Sequence, residues 1–116
     1  MTRLVSERCK AVIVSGPRNT VGFVGDTAVL QCRTNESKWT MYWSTLYSGT
    51  IASSAIGVSE DYPRMSLNYS TDGQFDLVIN SAQSEDAGRY WCTEGFDDST
   101  LAQLVLLGKC FVSVCY

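Results

Sequence analysis

The stretch "SEDAGRYWC", residues 84–92, places Asp86, Gly88, Tyr90 and Cys92 on alternate positions. A period of two is that of a β-strand, in which successive side chains point to opposite faces. Tyr90 and Cys92 therefore share one face, and Arg89 and Trp91 share the other. The same period recurs upstream. In "TAVLQC" Ala28, Leu30 and Cys32 lie on one side, and in "QFDLVIN" Phe75, Leu77 and Ile79 oppose Asp76, Val78 and Asn80. Each segment offers an apolar face, and two of those faces carry a cysteine. Two sheets closing on these faces would bring Cys32 and Cys92 together. On the residues alone such a cysteine is open to three readings: a disulfide partner, a metal or redox ligand, or a reactive thiol.

No stretch has a helical period. Short β-branched and aromatic runs instead recur between turn residues, the pattern of a sandwich or barrel. Strands are expected at 11–14, 21–24, 27–33, 40–46, 50–56, 64–69, 74–80, 88–94 and 101–107. The breakers are Gly16-Pro17, Gly25-Asp26, the polar "TNESK" and Asp72-Gly73. No repeat or linker divides the 116 residues, a length that suits one domain. The expected division is an N-terminal extension at 1–10, the domain at 11–108, and a tail or start of a linker at 109–116.

Composition narrows the function. With 45% hydrophobic and 11% aromatic residues the chain can bury a core. Nine basic and twelve acidic side chains are interspersed, for a formal net charge of −3. Without a basic stripe to neutralise phosphates, nucleic acid and anionic membrane surfaces are poor partners. There is no histidine, which removes the commonest general base and metal ligand. No catalytic residue, metal or cofactor is expected, and the domain is read as a non-enzyme.

Five cysteines in so short a chain indicate an oxidising compartment. "MTRLVSERCK" lacks the apolar core of a signal peptide, so Met1 is read as the start of an excised or recombinant piece of a secreted or surface protein. The tail "LAQLVLLGKCFVSVCY" is broken by Gln103 and Lys109 and is too short to span a bilayer. Membrane attachment would come only from a segment outside this chain.

At this point the chain resembles an immunoglobulin domain of the variable type (V-set). The matching residues are Cys32, Trp43 eleven positions later, Leu77-x-Ile79, Asp86-x-Gly88-x-Tyr90-x-Cys92, and Gly25-Asp26-Thr27 ahead of the first cysteine. Together they cover about residues 11 to 107 and form a far more specific signal than any one of them. The resemblance implies an all-β fold, a two-sheet antiparallel immunoglobulin-like V-type β-sandwich. Residues 44–63 leave room for the extra edge strand of the variable type.

It also implies roles. Cys32 and Cys92 would bridge the sheets, closing a loop whose constraint contributes about 4 kcal/mol, with Trp43 packed on the sulfurs. Tyr90 would return its hydroxyl to backbone near Asp86, and Arg64 would pair with Asp86. All are structural roles. A metal site would need clustered ligands and a catalytic thiol a base, and neither is present.

Antigen-receptor variable regions usually carry a Gly-x-Gly bulge in the last strand. Here Ser99 and Leu101 occupy those places, so a straighter last strand is expected, as is a germline-encoded innate or adhesion receptor. Tyr90-Trp91-Cys92 is similar to the triplet in polymeric immunoglobulin receptor-like proteins and in invertebrate chordate V-region proteins. Cys9, Cys110 and Cys115 fall outside the pattern. Cys9 and Cys110 are expected to lie too far apart to bridge. A local Cys110–Cys115 bond and pairing to another domain or chain both stay open.

Two surfaces are candidates for binding. On the sheet built from 40–46, 50–56, 88–94 and 101–107 (the GFCC' face of the family), Tyr42, Ser44, Arg89, Trp91, Gln103 and Val105 are expected to face outward. Trp91, flanked by Tyr42 and Val105, would form an apolar patch of the kind that marks an interface. Tyr47 would either join that patch or cover it. Partners would be another protein or a second copy in a two-fold dimer.

The other surface is the loop end (the CDR-like loops), with Trp39, Phe96, Asp97 and Asp98, made acidic by Glu94 as well. It would suit a soluble innate binder of microbial or carbohydrate surfaces. Its carboxylates could meet a basic ligand or, less readily, calcium through oxygen ligands, but a plain solvated loop is the stronger reading for them. Asn35-Glu36-Ser37 and Asn68-Tyr69-Ser70 are glycan acceptor patterns, supporting an extracellular location.

Overall fold

The computed structural model describes residues 13–34, 40–46, 48–70, 73–95, 98–108, 110–111 and 114–115. The chain forms β1 (Ile13–Ser15), β2 (Thr20–Phe23), β3 (Ala28–Leu30), β4 (Arg33–Thr34), β5 (Met41–Thr45) and β6 (Gly49–Ser53). There follow β7 (Gly57–Val58), β8 (Met65–Tyr69), β9 (Phe75–Ile79), a single 3-10 turn (Ser84–Asp86) and β10 (Gly88–Glu94). The chain continues as β11 (Asp98–Leu107), β12 (Cys110–Phe111) and β13 (Val114–Cys115). A six-stranded sheet in the order β2-β11-β10-β5-β6-β7 packs against a three-stranded sheet in the order β3-β9-β8. The architecture is the expected immunoglobulin-like sandwich, antiparallel except where β2 runs parallel to β11.

Gly16-Pro17 divides the first strand between the two layers. β1 pairs antiparallel with β4, and β2 crosses to the edge of the six-stranded sheet beside β11. The backbone passes so close to β11 that a Cβ on Gly16 would lie 2.4 Å from Thr100 Oγ1, so only glycine fits there. Asn19 Oδ1 accepts from the Gln103 N–H (2.9 Å) just before β2 begins, satisfying a donor on the strand edge.

Leu30, Trp43, Ile51, Phe75, Leu77, Ile79 and Leu104 fill the space between the sheets and are fully buried. The Cys32–Cys92 disulfide ties the layers together with Cα atoms 6.5 Å apart, inside the range a disulfide needs. Trp43 is the cross-strand partner of Cys92. Its indole N–H donates to the Phe75 carbonyl (3.1 Å), and its ring stacks on Phe75 with centroids 6.4 Å apart. The tryptophan thus buries its apolar body and still satisfies its one polar atom.

Several expected strands are shorter than their sequence pattern suggests. The strand expected at 27–33 stops at Leu30 and resumes at Arg33. In the gap, the Cys32 N–H donates to Asp76 Oδ1 (3.1 Å), and Cys32 O accepts from the Phe75 N–H (2.8 Å). A carboxylate thereby takes the place of one backbone acceptor. The strand expected at 50–56 ends at Ser53, whose hydroxyl accepts from the Ile56 N–H (3.1 Å) to form a turn. Gly57, at φ 94°, then starts β7, the extra edge strand.

The last strand begins at Asp98, three residues earlier than expected, because Glu94 and Thr93 pair with Asp98 and Ser99. It keeps one-to-one register with β10 from Asp98 to Leu104, without a bulge. The segment expected to be a tail holds the β12–β13 pair, which sets Cys110 opposite Cys115.

Candidate binding face

Strand alternation decides what each face of the six-stranded sheet presents. On β10, Tyr90, Cys92 and Glu94 turn inward and are buried, leaving Arg89, Trp91 and Thr93 outward. On β11, Ala102 and Leu104 turn inward, leaving Leu101, Gln103, Val105 and Leu107 outward. The parallel pairing of β2 sets Val21 beside Val105 and Phe23 beside Leu107 on the same side. Val21, Phe23, Leu101, Val105 and Leu107 keep between 39% and 65% of their surface exposed. With Trp91 and Tyr42, both half-buried, they form an apolar band across four adjacent strands. Arg89 is the charge set into it.

Of the residues expected outward, Tyr42, Ser44, Arg89, Trp91, Gln103 and Val105 all lie on this face, and Tyr47 lies outside the described residues. The neighbours of Trp91 differ from expectation. Its cross-strand partners are Leu101 and Ser44, whereas Val105 sits four residues further along β11, because the register is fixed by Gly88 opposite Leu104. Four apolar residues of the band, Val21, Phe23, Leu101 and Leu107, were not singled out in the sequence. Counting by twos along β11 from Val105 would have found Leu101 and Leu107. The two on β2 required knowing that this strand joins the sheet in parallel.

Below this face the structural residues meet. Asp86 is buried and accepts from the Gln83 N–H (2.8 Å) and from Arg64 Nη2 (3.1 Å). Arg64 also lies 3.6 Å from Glu85. Its hydrogen bond to Asp86, offset in part by desolvation and reinforced by nearby negative charge, holds the guanidinium above its ordinary pKa. The Tyr90 hydroxyl donates to the Asp86 carbonyl (2.6 Å). Burial, helped by the charge of Asp86, pushes the Tyr90 phenol up to about 12. Gly88, at φ 144°, carries the backbone out of this corner, where a side chain would be strained. Glu85, Asp86, Gly88 and Tyr90 also line a cleft of about 610 Å3 with Tyr62, Met65, Arg89 and Gln103.

Trp39, Phe96, Asp97 and Asn35 lie outside the described residues, and Asp98 belongs to β11. Glu94, expected to add to an acidic loop, is a wholly buried strand residue on the face of Tyr90 and Cys92. The alternation of "GRYWCTE" carries one step further than expected and turns its carboxylate inward. Asp76 is also buried, held by the Cys32 N–H and by Gln74 Nε2 (3.0 Å). Among the described residues no cluster of His, Cys, Asp and Glu could hold a metal ion.

Comparison with known proteins bears on the sandwich as a whole. The family model for the immunoglobulin domain matches residues 10–94. The chain belongs to the immunoglobulin domain family. This immunoglobulin domain is 32% identical over 112 residues to CMRF35-like molecule 9 of Homo sapiens, with 84% of the chain aligned. It spans only 33% of the length of that relative.

Among solved structures it is similar to Dpr1 IG1, bound there to DIP-eta IG1, with a TM-score of 0.76 and 19% identity over 84% of this chain and 96% of that one. It also resembles the first Ig domain of the mouse polymeric immunoglobulin receptor, with a TM-score of 0.68 and 24% identity over 79% of this chain and 91% of that one. These structures share the fold. The extra edge strands β6 and β7 fit the variable type, and the tyrosine corner fits the family as a whole. As a member of that family the domain is a non-enzymatic module.

Proposed function

We propose that the domain is an extracellular recognition module of a cell-surface or secreted immune or adhesion protein. It docks a protein partner non-covalently through the outward face of β2, β11, β10 and β5. The observation that carries this reading is the apolar band of Val21, Phe23, Leu101, Val105 and Leu107, exposed on one side of one sheet with half-buried Trp91 among them. An exposed apolar band of this kind marks an interaction surface. Aromatic residues such as Trp91 and Tyr42 are the side chains that most often anchor an interface.

Immunoglobulin domain against immunoglobulin domain is the pairing in the Dpr1–DIP-eta complex, and the same class of partner is proposed here. Arg89 favours a partner with a carboxylate opposite it over a second copy centred on β10, which would set arginine against arginine.

The test is a binding screen of the multimerised domain against a panel of immunoglobulin-domain ectodomains, run with the wild type, Leu101→Asp and Phe96→Ala. Loss of the captured partner with Leu101→Asp, and its retention with Phe96→Ala, supports the sheet face. The opposite result transfers the function to the loop end. Sedimentation of the wild type and Trp91→Ala reads self-association, and a Trp91-dependent dimer would replace the heterophilic partner with a second copy.

A further inference from the structure

The acceptor pattern Asn68-Tyr69-Ser70 lies at the end of β8. This strand is the edge of the three-stranded sheet, hydrogen-bonded to β9 on one side alone among the described residues. Alternation along β8 turns Met65 and Leu67 inward and Ser66 and Asn68 outward. Asn68 stands opposite Asp76 and is exposed. Its side chain makes no hydrogen bond to another described residue. Asp76 is instead turned toward Cys32 and Gln74. The next residue, Tyr69, anchors the strand end by meeting Phe75 edge to face, with ring centroids 6.3 Å apart.

We infer that Asn68 carries an N-linked glycan that covers the outward face of the three-stranded sheet and the open edge of β8. This rests on the extracellular reading, since the sugar is transferred in the secretory pathway. In the step, the Asn68 amide nitrogen forms a bond to the anomeric carbon of an oligosaccharide carried on a polyprenyl diphosphate. The bond from that carbon to the diphosphate oxygen breaks, the lipid diphosphate leaves with the electron pair, and the amide gives up one proton. No oxidant or reductant is needed.

The placement has a physical use. An edge strand presents unpaired N–H and C=O groups that invite another strand, and proteins block such edges with charge, proline or cover. β8 has neither lysine nor proline among Met65–Tyr69, so a bulky hydrated sugar on it supplies the cover. Beside it on the outward face lie Val29, Val78 and Ser66, paired across β3, β9 and β8. The glycan thus closes one side of the sandwich and leaves the apolar band on the other side open.

The test expresses the full chain behind a secretion signal in eukaryotic cells, as wild type, Asn68→Gln, Ser70→Ala and Asn35→Gln. Glycan is read on total cell protein as well as on medium, so that chain retained inside the cell is scored too. The expected result is a peptide-N-glycosidase-sensitive glycan on the Asn68 peptide of the wild type and of Asn35→Gln, with that residue converted to aspartate by the enzyme. The glycan is absent from Asn68→Gln and Ser70→Ala, and those variants self-associate more readily on concentration. Disulfide-bonded, secreted protein with Asn68 unmodified would overturn the inference while leaving the extracellular reading intact. Chain with no glycan at Asn68 either inside or outside the cell would overturn it as well.

Discussion

The outward faces of the two sheets are built on the same strand alternation and present different chemistry. The six-stranded sheet shows Val21, Phe23, Leu101, Val105 and Leu107 to solvent, with Trp91 and Tyr42 half-exposed among them. On its outward face the three-stranded sheet shows Val29 as its one large exposed apolar residue among the described ones, alongside Gln31, Ser66 and Asn68, while exposed Tyr69 ends β8 on the side of Met65 and Leu67. Its one outward acid, Asp76, is drawn in to hold the Cys32 N–H. Both sheets bury their inner faces equally well, so the core explains neither outer face. The surplus of apolar surface on the larger sheet has no role in folding, and that is the reason to assign it to a partner.

The hardest way to break the comparison is to cut the tie between the layers. Replacing Cys32 and Cys92 together with alanine is expected to cost about 4 kcal/mol in denaturant titrations and to abolish both faces at once. The next test isolates the smaller sheet. Asp76→Ala strands the buried Cys32 N–H and should cost about 2 kcal/mol, while Asp76→Asn, whose amide oxygen still accepts, should cost about 1 kcal/mol or less. If the two variants behave alike, the carboxylate is not what closes the gap between β3 and β4.

A test of the larger sheet uses pH. The Tyr90 phenol titrates near 12 in the folded chain against its ordinary 10.0. Unfolding therefore favours the phenolate. The stability from keeping the hydroxyl protonated is fully present below pH 10 and is lost as pH rises toward 12. The alkaline limb of a stability–pH profile should fall by roughly 2 kcal/mol over that window. Tyr90→Phe should flatten that limb and cost about 1 kcal/mol at neutral pH, because the Asp86 carbonyl loses its donor.

The smallest effects on stability are the most informative about function. Leu101→Asp, Val105→Asp and Val29→Asp should each change stability by about 0.5 kcal/mol or less, as exposed sites do. The first two should weaken partner binding roughly tenfold or more, and the third should leave it unchanged. Equal losses from Val29→Asp and Leu101→Asp would erase the distinction between the faces.

Much of this architecture was legible in the chain because burial leaves a period. The inward set of Ala28, Leu30, Cys32, Phe75, Leu77, Ile79, Tyr90 and Cys92 follows from counting by twos, and every member is buried. Arg64, Asp86 and Tyr90 were legible only through resemblance, since nothing in their spacing alone requires a guanidinium, a carboxylate and a phenol to meet. Three features escaped for separate reasons. The break in the strand at Cys32 depends on a side chain more than forty residues away, which no local pattern can contain. The parallel partnership of β2 and β11 joins opposite ends of the domain, and a four-residue strand carries no mark of direction. The inward turn of Glu94 contradicts the usual cost of burying a carboxylate, so its polarity outweighed its place in the alternation.

The parallel run of β2 against β11 has a mechanical consequence. The two strands lie near opposite ends of the domain and point the same way. A pull that separates the termini therefore drags them past each other lengthwise. The rungs between Thr20–Phe23 and Leu104–Leu107 would then bear load together instead of unzipping one by one. The domain should yield abruptly under tension, and this short pair of strands should be its latch.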